Sequence, residues 1–365
     1  MKCLELNPID VLYFRNSKPF AKGEEHFSTS LFPPYPSTLY GALRTLILRQ
    51  NDISFDSFYA GNIDDDLKKL VGTPQSIGSL MINGLFLQRE ETIYLSPPAD
   101  LVFSGNDIEK EFHILKLKAP PLATVSSEFQ FLPFIHDYRY KPLTDSFLSV
   151  RNLQKYLMGT TDFVKQGIKS TSDIIKKDKR VGIGINGEKN VTKEGQLFLS
   201  ESVEFEKNWN FSAWINDTPF LQDNGYLNWG GKSKPVLYKK NEKDLFSLIQ
   251  KDDIMSKIKE TGLMKLLFLT PTILNEGWTS SQLKINNADL ISAAINKVQK
   301  IGGYNMAENK PKTMYNVLPA GSVFYYKLSD KSEENIEKIF QKFYLKNVSD
   351  IYPNMGFGLI ILGGV

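Results

Sequence analysis

Gly182, Gly184 and Gly187 spell G-x-G-x-x-G, with Glu204 and Glu206 near the distance at which a dinucleotide site places its ribose-binding carboxylate. Such a site needs a strand before the glycines and a helix after them, so that the pyrophosphate meets the helix N-terminus. Here a basic stretch (Lys176, Lys177, Lys179, Arg180), read as the end of a helix, precedes them, and Asn186, Gly187, Asn190 and Gly195 follow as turn formers. That context excludes a dinucleotide site. Residues 180–198, RVGIGINGEKNVTKEGQLF, read instead as a glycine-rich hairpin carrying Arg180, Lys189 and Lys193 beside Lys179. Small residues let a polynucleotide backbone approach closely and cations neutralise phosphate. A solvated hairpin with ordinary surface lysines competes with that reading.

Three histidines, His26, His113 and His136, are too few and too scattered for a metal site, and the single Cys3 offers no cluster, so neither metal nor cofactor is expected. His113 alternates with apolar neighbours and reads as a core or edge residue of a strand. His26 follows Gly23, Glu24 and Glu25 in a polar loop, where it meets either RNA or its own loop. It is also the one side chain around which general acid–base cleavage of RNA can be written, with a nearby Lys or Tyr. There is no Ser/His/Asp constellation, and Asp64 to Asp66 sit in a polar loop where solvation explains them. No catalytic residue is assigned.

Four further loops have the composition to hold a phosphate chain. Ser37 and Thr38 open a helix whose free N–H groups suit a phosphate, and Arg44 lies off that helix's apolar stripe, facing the same ligand or plain solvent. Gly230, Gly231, Lys232 and Lys234 join flexible backbone to two cations, as do Gly302, Gly303, Lys310 and Lys312 around Tyr304, an aromatic able to stack on a base. Gly356 and Gly358 precede the final apolar run, where tight turns explain glycine equally well.

The elements that must position these loops are legible by periodicity. Leu39, Ala42, Leu43, Leu46 and Ile47 form one helical face, and residues 2–6 and 10–14 read as strands. Residues 80–88 and 92–95 form a hairpin, and 111–118 another strand. Residues 145–178 read as mainly helical. Toward the C-terminus the expected order is strand 265–270, helix 288–298, strand 322–328, helix 333–343 and strand 357–362. Ser332 caps the second helix, and Ile336, Ile339, Phe340 and Phe343 line its buried face. One more strand would complete a βαββαβ, ferredoxin-like pattern, and the N-terminal elements fit the same pattern less closely.

At 365 residues, with 41% hydrophobic and 23% charged residues, the chain has the composition of a folded protein of about two domains. No run approaches the roughly 20 apolar residues of a membrane span, so no membrane partner is expected. Glu5 and Pro8 interrupt any signal-like apolar start, and the cytoplasm is the expected compartment. With a net charge of only +3, contact with nucleic acid must come from local patches.

Residues 8–20 (PIDVLYFRNSKPF), 30–45 (SLFPPYPSTLYGALRT), 180–198, 229–234 (WGGKSK), 318–328 (LPAGSVFYYKL) and 356–364 (GFGLIILGG) resemble, in order and spacing, the third-subunit family of the type III-B CRISPR Cmr complex, within the RAMP superfamily. The resemblance implies an α+β fold of two ferredoxin-like (RRM-like) RAMP domains with insertions, expected at 1–200 and 201–365. It further implies a non-catalytic subunit in antiviral defence that holds the 5′ tag of the guide RNA. The implied partners are the large polymerase-like subunit and the backbone RAMP subunit, with target RNA met indirectly. Carried over by position, the tag-contacting residues are Arg15, Lys18 and His26; Ser37, Thr38 and Arg44; Lys179, Arg180, Lys189 and Lys193. Gly230, Gly231, Lys232, Lys234, Gly303, Tyr304, Gly356 and Gly358 are further candidates. The family pattern has an acidic residue and an arginine where this chain has Lys232 and Lys234, which is a departure, and residues 205–260 match it least. A RAMP-type endoribonuclease using His26 and a protein-only scaffold are the rival functions.

Overall fold

The computed structural model describes residues 1–15, 27–105, 110–119, 129–135, 139–186, 191–305 and 310–365. The chain forms two compact units, each assembled from separated stretches. One comprises Met1–Met81, Ser172–Glu242 and Ile301–Met314; the other comprises Ile82–Thr171, Lys243–Lys300 and Tyr315–Val365. A single cut at residue 200 describes neither, because it falls inside the strand Val191–Phe205 and the first strand takes both its partners from beyond it.

In the first unit, Lys2–Pro8 pairs antiparallel with Trp209–Ile215 on one side and Lys234–Asn241 on the other, and Asn224–Trp229 forms the edge. The registers Leu4↔Ala213, Leu6↔Phe211 and Leu6↔Tyr238 place apolar side chains in cross-strand ranks, and all five are buried. Helix Pro36–Gln50 buries Leu39, Leu43, Leu46 and Ile47, as the periodicity predicts, and starts with Pro36, whose fixed φ suits the first helical turn. Strands Ile175–Asn186 and Val191–Phe205 form the expected long hairpin, joined by Phe27–Thr29, which runs parallel to Leu199–Glu201. The hairpin register breaks between Ile183↔Leu197 and Ile185↔Thr192, so that Gly184 faces an excursion of the second strand.

The second unit contains the predicted hairpin Ile82–Arg89 and Thr92–Leu95, extended by Ser146–Ser149 and Ile168–Ser170. Its C-terminal sheet has the order Ala288–Ala294, Val323–Leu328, Leu263–Phe268, Ile360–Gly364, with every neighbour antiparallel. Helix Glu333–Phe343 has the expected bounds and cap, Ser332 Oγ accepting from Asn335 N, and buries the four predicted residues.

Two expected helices differ. Residues 288–298 contribute the 7-residue strand Ala288–Ala294: it buries β-branched Ile291 and Ala294 and completes the sheet against Val323–Leu328, and that pairing and burial outweigh the helix propensity of its alanines. The crossover before it therefore carries only the 3₁₀ turns Gly277–Thr279 and Ser281–Leu283. Of residues 145–178, only Val150–Leu157 is α-helical, because Gly159 takes a φ of 77° just beyond it and ends the helix. The basic residues before Gly182 thus lie on a strand.

One polar cluster is fully enclosed in the second unit. Tyr156 Oη donates to both carboxylate oxygens of buried Asp100, at 2.7 and 2.9 Å, and Tyr325 Oη donates to the same carboxylate. Lys265 Nζ donates to Tyr156 O at 2.8 Å and lies 3.7 Å from the Tyr156 ring centroid. Burial lowers the Lys265 pKa to about 8, against the opposing pull of Asp100. Burial and then the Asp100 charge hold both tyrosine pKa values well above their ordinary value.

Candidate nucleic-acid interface

Residues 11–15 are the point at which the distant motifs of the first unit meet. Leu12 exchanges backbone hydrogen bonds with Val203 of the hairpin, both at 2.8 Å, and Phe14 O accepts from Leu31 N at 2.7 Å. Tyr13 O accepts from Gly231 N at 2.7 Å, and Tyr13 Oη is bonded to Ser28 Oγ. Segments as distant in sequence as Val203 and Gly231 are therefore tied to one five-residue stretch. Arg15, exposed, ends it in a bridge to Ser30.

The WGGKSK turn is built by exclusion of side chains. Gly230 has φ 79° and ψ −170°, a conformation open essentially to glycine, and a Cβ there would lie 2.6 Å from Tyr13 O. A Cβ on Gly231 would lie 2.7 Å from the Tyr13 ring. Buried Trp229 packs edge-on against Phe14 and Phe211, and its indole N–H donates to Thr38 Oγ1 at 3.0 Å. Thr38 Oγ1 in turn donates to Tyr35 O at 2.9 Å, so this hydroxyl fixes the helix start to the turn. Ser37 stands beside it, half-buried. Lys232, exposed at φ 62°, projects from the turn, whereas Lys234 pairs with Asp10. That bond first, then the Val11 N–H and the nearby charges of Lys234 and Arg180, lower the Asp10 pKa, which places the hairpin base and the turn in one electrostatic neighbourhood.

On the hairpin the cations alternate with carboxylates. Lys176 pairs with Glu206 at 2.8 Å, Lys177 with buried Glu201 at 3.1 Å, and Arg180 Nε with Asp178 at 2.6 Å. Among the described residues, Arg15, Lys179 and Lys232 are exposed cations of this region without an ion pair. Lys193 lies in the register break of the second strand. Lys18, His26 and Lys189 lie outside the described residues.

Arg44 is half-buried. Its Nη2 donates to Thr73 O at 2.9 Å and its guanidinium lies 5.5 Å from the Phe58 ring centroid; burial lowers its pKa. Lys312 lies within Arg44's field, its pKa lowered by desolvation and then by that charge. Lys312 N donates to Gly303 O at 2.9 Å, closing the small hairpin on which Tyr304 stands half-exposed. Gly356 and Gly358 belong to the second unit and are buried, with φ of 91° and 80°. A Cβ on Gly358 would meet Ser349 N at 2.4 Å, so tight turns account for glycine there.

Sequence reasoning did not find Asp10, Tyr13 or Glu201, whose roles are to anchor Lys234, Gly231 and Lys177; each is an ordinary residue until the chain is folded. No group of three or more His, Cys, Asp or Glu residues placed to hold a metal occurs among the described residues. No described helix is long and apolar enough to cross a membrane.

A mixed α/β scaffold thus gathers glycine turns and unpaired cations in its first unit. Residues 4–365 match the family described as CRISPR-associated protein (Cas_Cmr3), and the chain belongs to that family. A chain in the cryo-EM structure of the Type III-B Cmr-beta bound to cognate target RNA is 18% identical, with a TM-score of 0.54, over 98% of this chain and 96% of that one. A chain in the same complex bound to cognate target RNA and AMPPnP, state 1, is 17% identical with a TM-score of 0.53 over the same shares. These likenesses concern the fold. No curated protein matches.

Proposed function

We propose that this chain is a non-catalytic subunit of a type III-B CRISPR effector complex in antiviral defence. Its first unit holds the 5′ tag of the guide RNA, and the chain joins the large subunit to the backbone subunits. Family membership supports the place in the complex. The observation that carries the RNA role is the gathering of the hairpin, the WGGKSK turn and the helix start around residues 11–15, with Arg15, Lys179 and Lys232 left unpaired at its edge. We place the phosphates of the tag along these cations, with affinity dominated by counterion release and tag choice resting on splayed bases. The antiparallel order of the C-terminal sheet supports a ferredoxin-like half with one crossover helix absent.

The test is titration of labelled guide RNA, with and without its tag, against wild type and the triple variant Arg15→Ala, Lys179→Ala, Lys232→Ala at several salt concentrations. For single-stranded RNA each lost phosphate contact should reduce the log–log salt slope by about 0.7. Affinity and slope equal to wild type in the triple variant would refute the assignment.

A further inference from the structure

Residues 50–67 contain five aspartates, Asp52, Asp56, Asp64, Asp65 and Asp66, and neither lysine nor arginine. All five are exposed, and among the described residues only Asp66 has an ion pair, with Lys69 at 2.8 Å. In the middle of this acidic stretch the short helix Phe55–Ala60 turns Phe58 inward and leaves Phe55 and Tyr59 54% and 49% exposed. Their i, i+4 spacing puts the two rings side by side, with centroids 6.2 Å apart and planes at 23°.

The pair is held in place from below and from both ends. Phe58 is buried with the Arg44 guanidinium over its ring. Ser54 Oγ caps the helix by accepting from Ser57 N at 3.1 Å, and Gly61, at φ 78°, ends it. Asp64 caps the next helix, accepting from Asp66 N at 2.9 Å and Leu67 N at 3.2 Å. Two large rings fixed in solvent lose little entropy on docking, which is the property of an interface anchor. The surrounding charge decides what docks: carboxylates repel a phosphate backbone and attract a surface rimmed by lysine or arginine.

We propose that Phe55 and Tyr59 anchor a partner protein that presents an apolar pocket with a basic rim. This goes beyond the RNA role and deepens the joining role proposed above, on which it rests. The rings supply the contact area and the aspartates supply orientation and association rate.

The experiment uses the full chain, fluorescently labelled, and titrates it with the remaining protein subunits of its own effector complex, assembled without guide RNA. Phe55→Ser combined with Tyr59→Ser should weaken binding on the order of 30-fold or more, the range of a lost anchor, while guide-RNA affinity of the isolated chain stays at the wild-type value. Phe55→Tyr should bind as wild type. Asp52→Lys combined with Asp56→Lys should slow association most at low salt. Wild-type affinity in the double serine variant overturns the proposal, as does a loss confined to RNA binding. Loss of a self-association of the isolated chain, with subunit binding intact, overturns it in favour of a second copy as occupant. A urea midpoint within error of wild type for the double serine variant, or the same loss in the charge-reversal variant, separates the surface from misfolding. Failure here leaves the Arg15/Lys179/Lys232 result untouched, since that triple variant reads RNA alone.

Discussion

Lys265→Met should change how stability depends on pH. Lys265 is fully buried, its ammonium donates to Tyr156 O, and its pKa is about 8 in the folded chain against 10.5 as the ordinary value. A depressed lysine pKa means that the unfolded state binds more protons, so stability must rise with pH through this window. Between pH 7 and 9 the folded lysine passes from mostly protonated to mostly neutral while the unfolded one keeps its proton. The mean difference is about half a proton over two pH units, or about 1.4 kcal/mol at 1.36 kcal/mol per unit. Methionine keeps the length of the stem, removes the titration and leaves Asp100 its two tyrosine donors. The assay is urea unfolding followed by tryptophan fluorescence at pH 7, 8 and 9 for both proteins. The free-energy difference between wild type and variant should grow by about 1.4 kcal/mol in favour of wild type across that range. Other titrating groups, including Tyr156 and Tyr325 with their raised pKa values, act in both proteins and largely cancel below pH 9. Parallel pH profiles, or a difference that shrinks with pH, would refute the reasoning.

Gly230→Ala should destabilise the first unit by about 2–3 kcal/mol in urea unfolding, because the backbone there is glycine-only and the new methyl group would meet Tyr13 O. Ser332→Ala should cost about 1 kcal/mol by removing the cap that Asn335 N uses, with no change in RNA binding. Arg44→Ala should lower stability before it lowers RNA affinity, since its guanidinium is bonded to Thr73 O beneath Phe58; a thermal melt and an RNA titration on the same sample distinguish the two.

What the sequence determined by itself was local. The helices Pro36–Gln50 and Glu333–Phe343 were legible because their apolar stripes, their starting Pro36 and capping Ser332 act within a few residues. The glycine-rich hairpin was legible for the same reason, and the ordered motifs pointed to the family the chain belongs to. Residues 288–294 were misread because so short a run of mixed apolar and polar residues has no local feature that separates helix from strand; the neighbouring strand Val323–Leu328 decides it. Only the tertiary structure could show that Tyr13 O receives Gly231, that Asp10 takes up Lys234, and that Arg44 is spent on Thr73 while Lys179 and Lys232 stay unpaired. Likewise only the folded chain encloses Lys265 with Asp100, 165 positions apart in numbering, and turns Phe55 and Tyr59 outward. The physical reason is common to all of these: capping and periodicity are short-range and written in adjacent residues, whereas pairing, desolvation and exposure depend on which distant side chains the fold brings within a few ångströms.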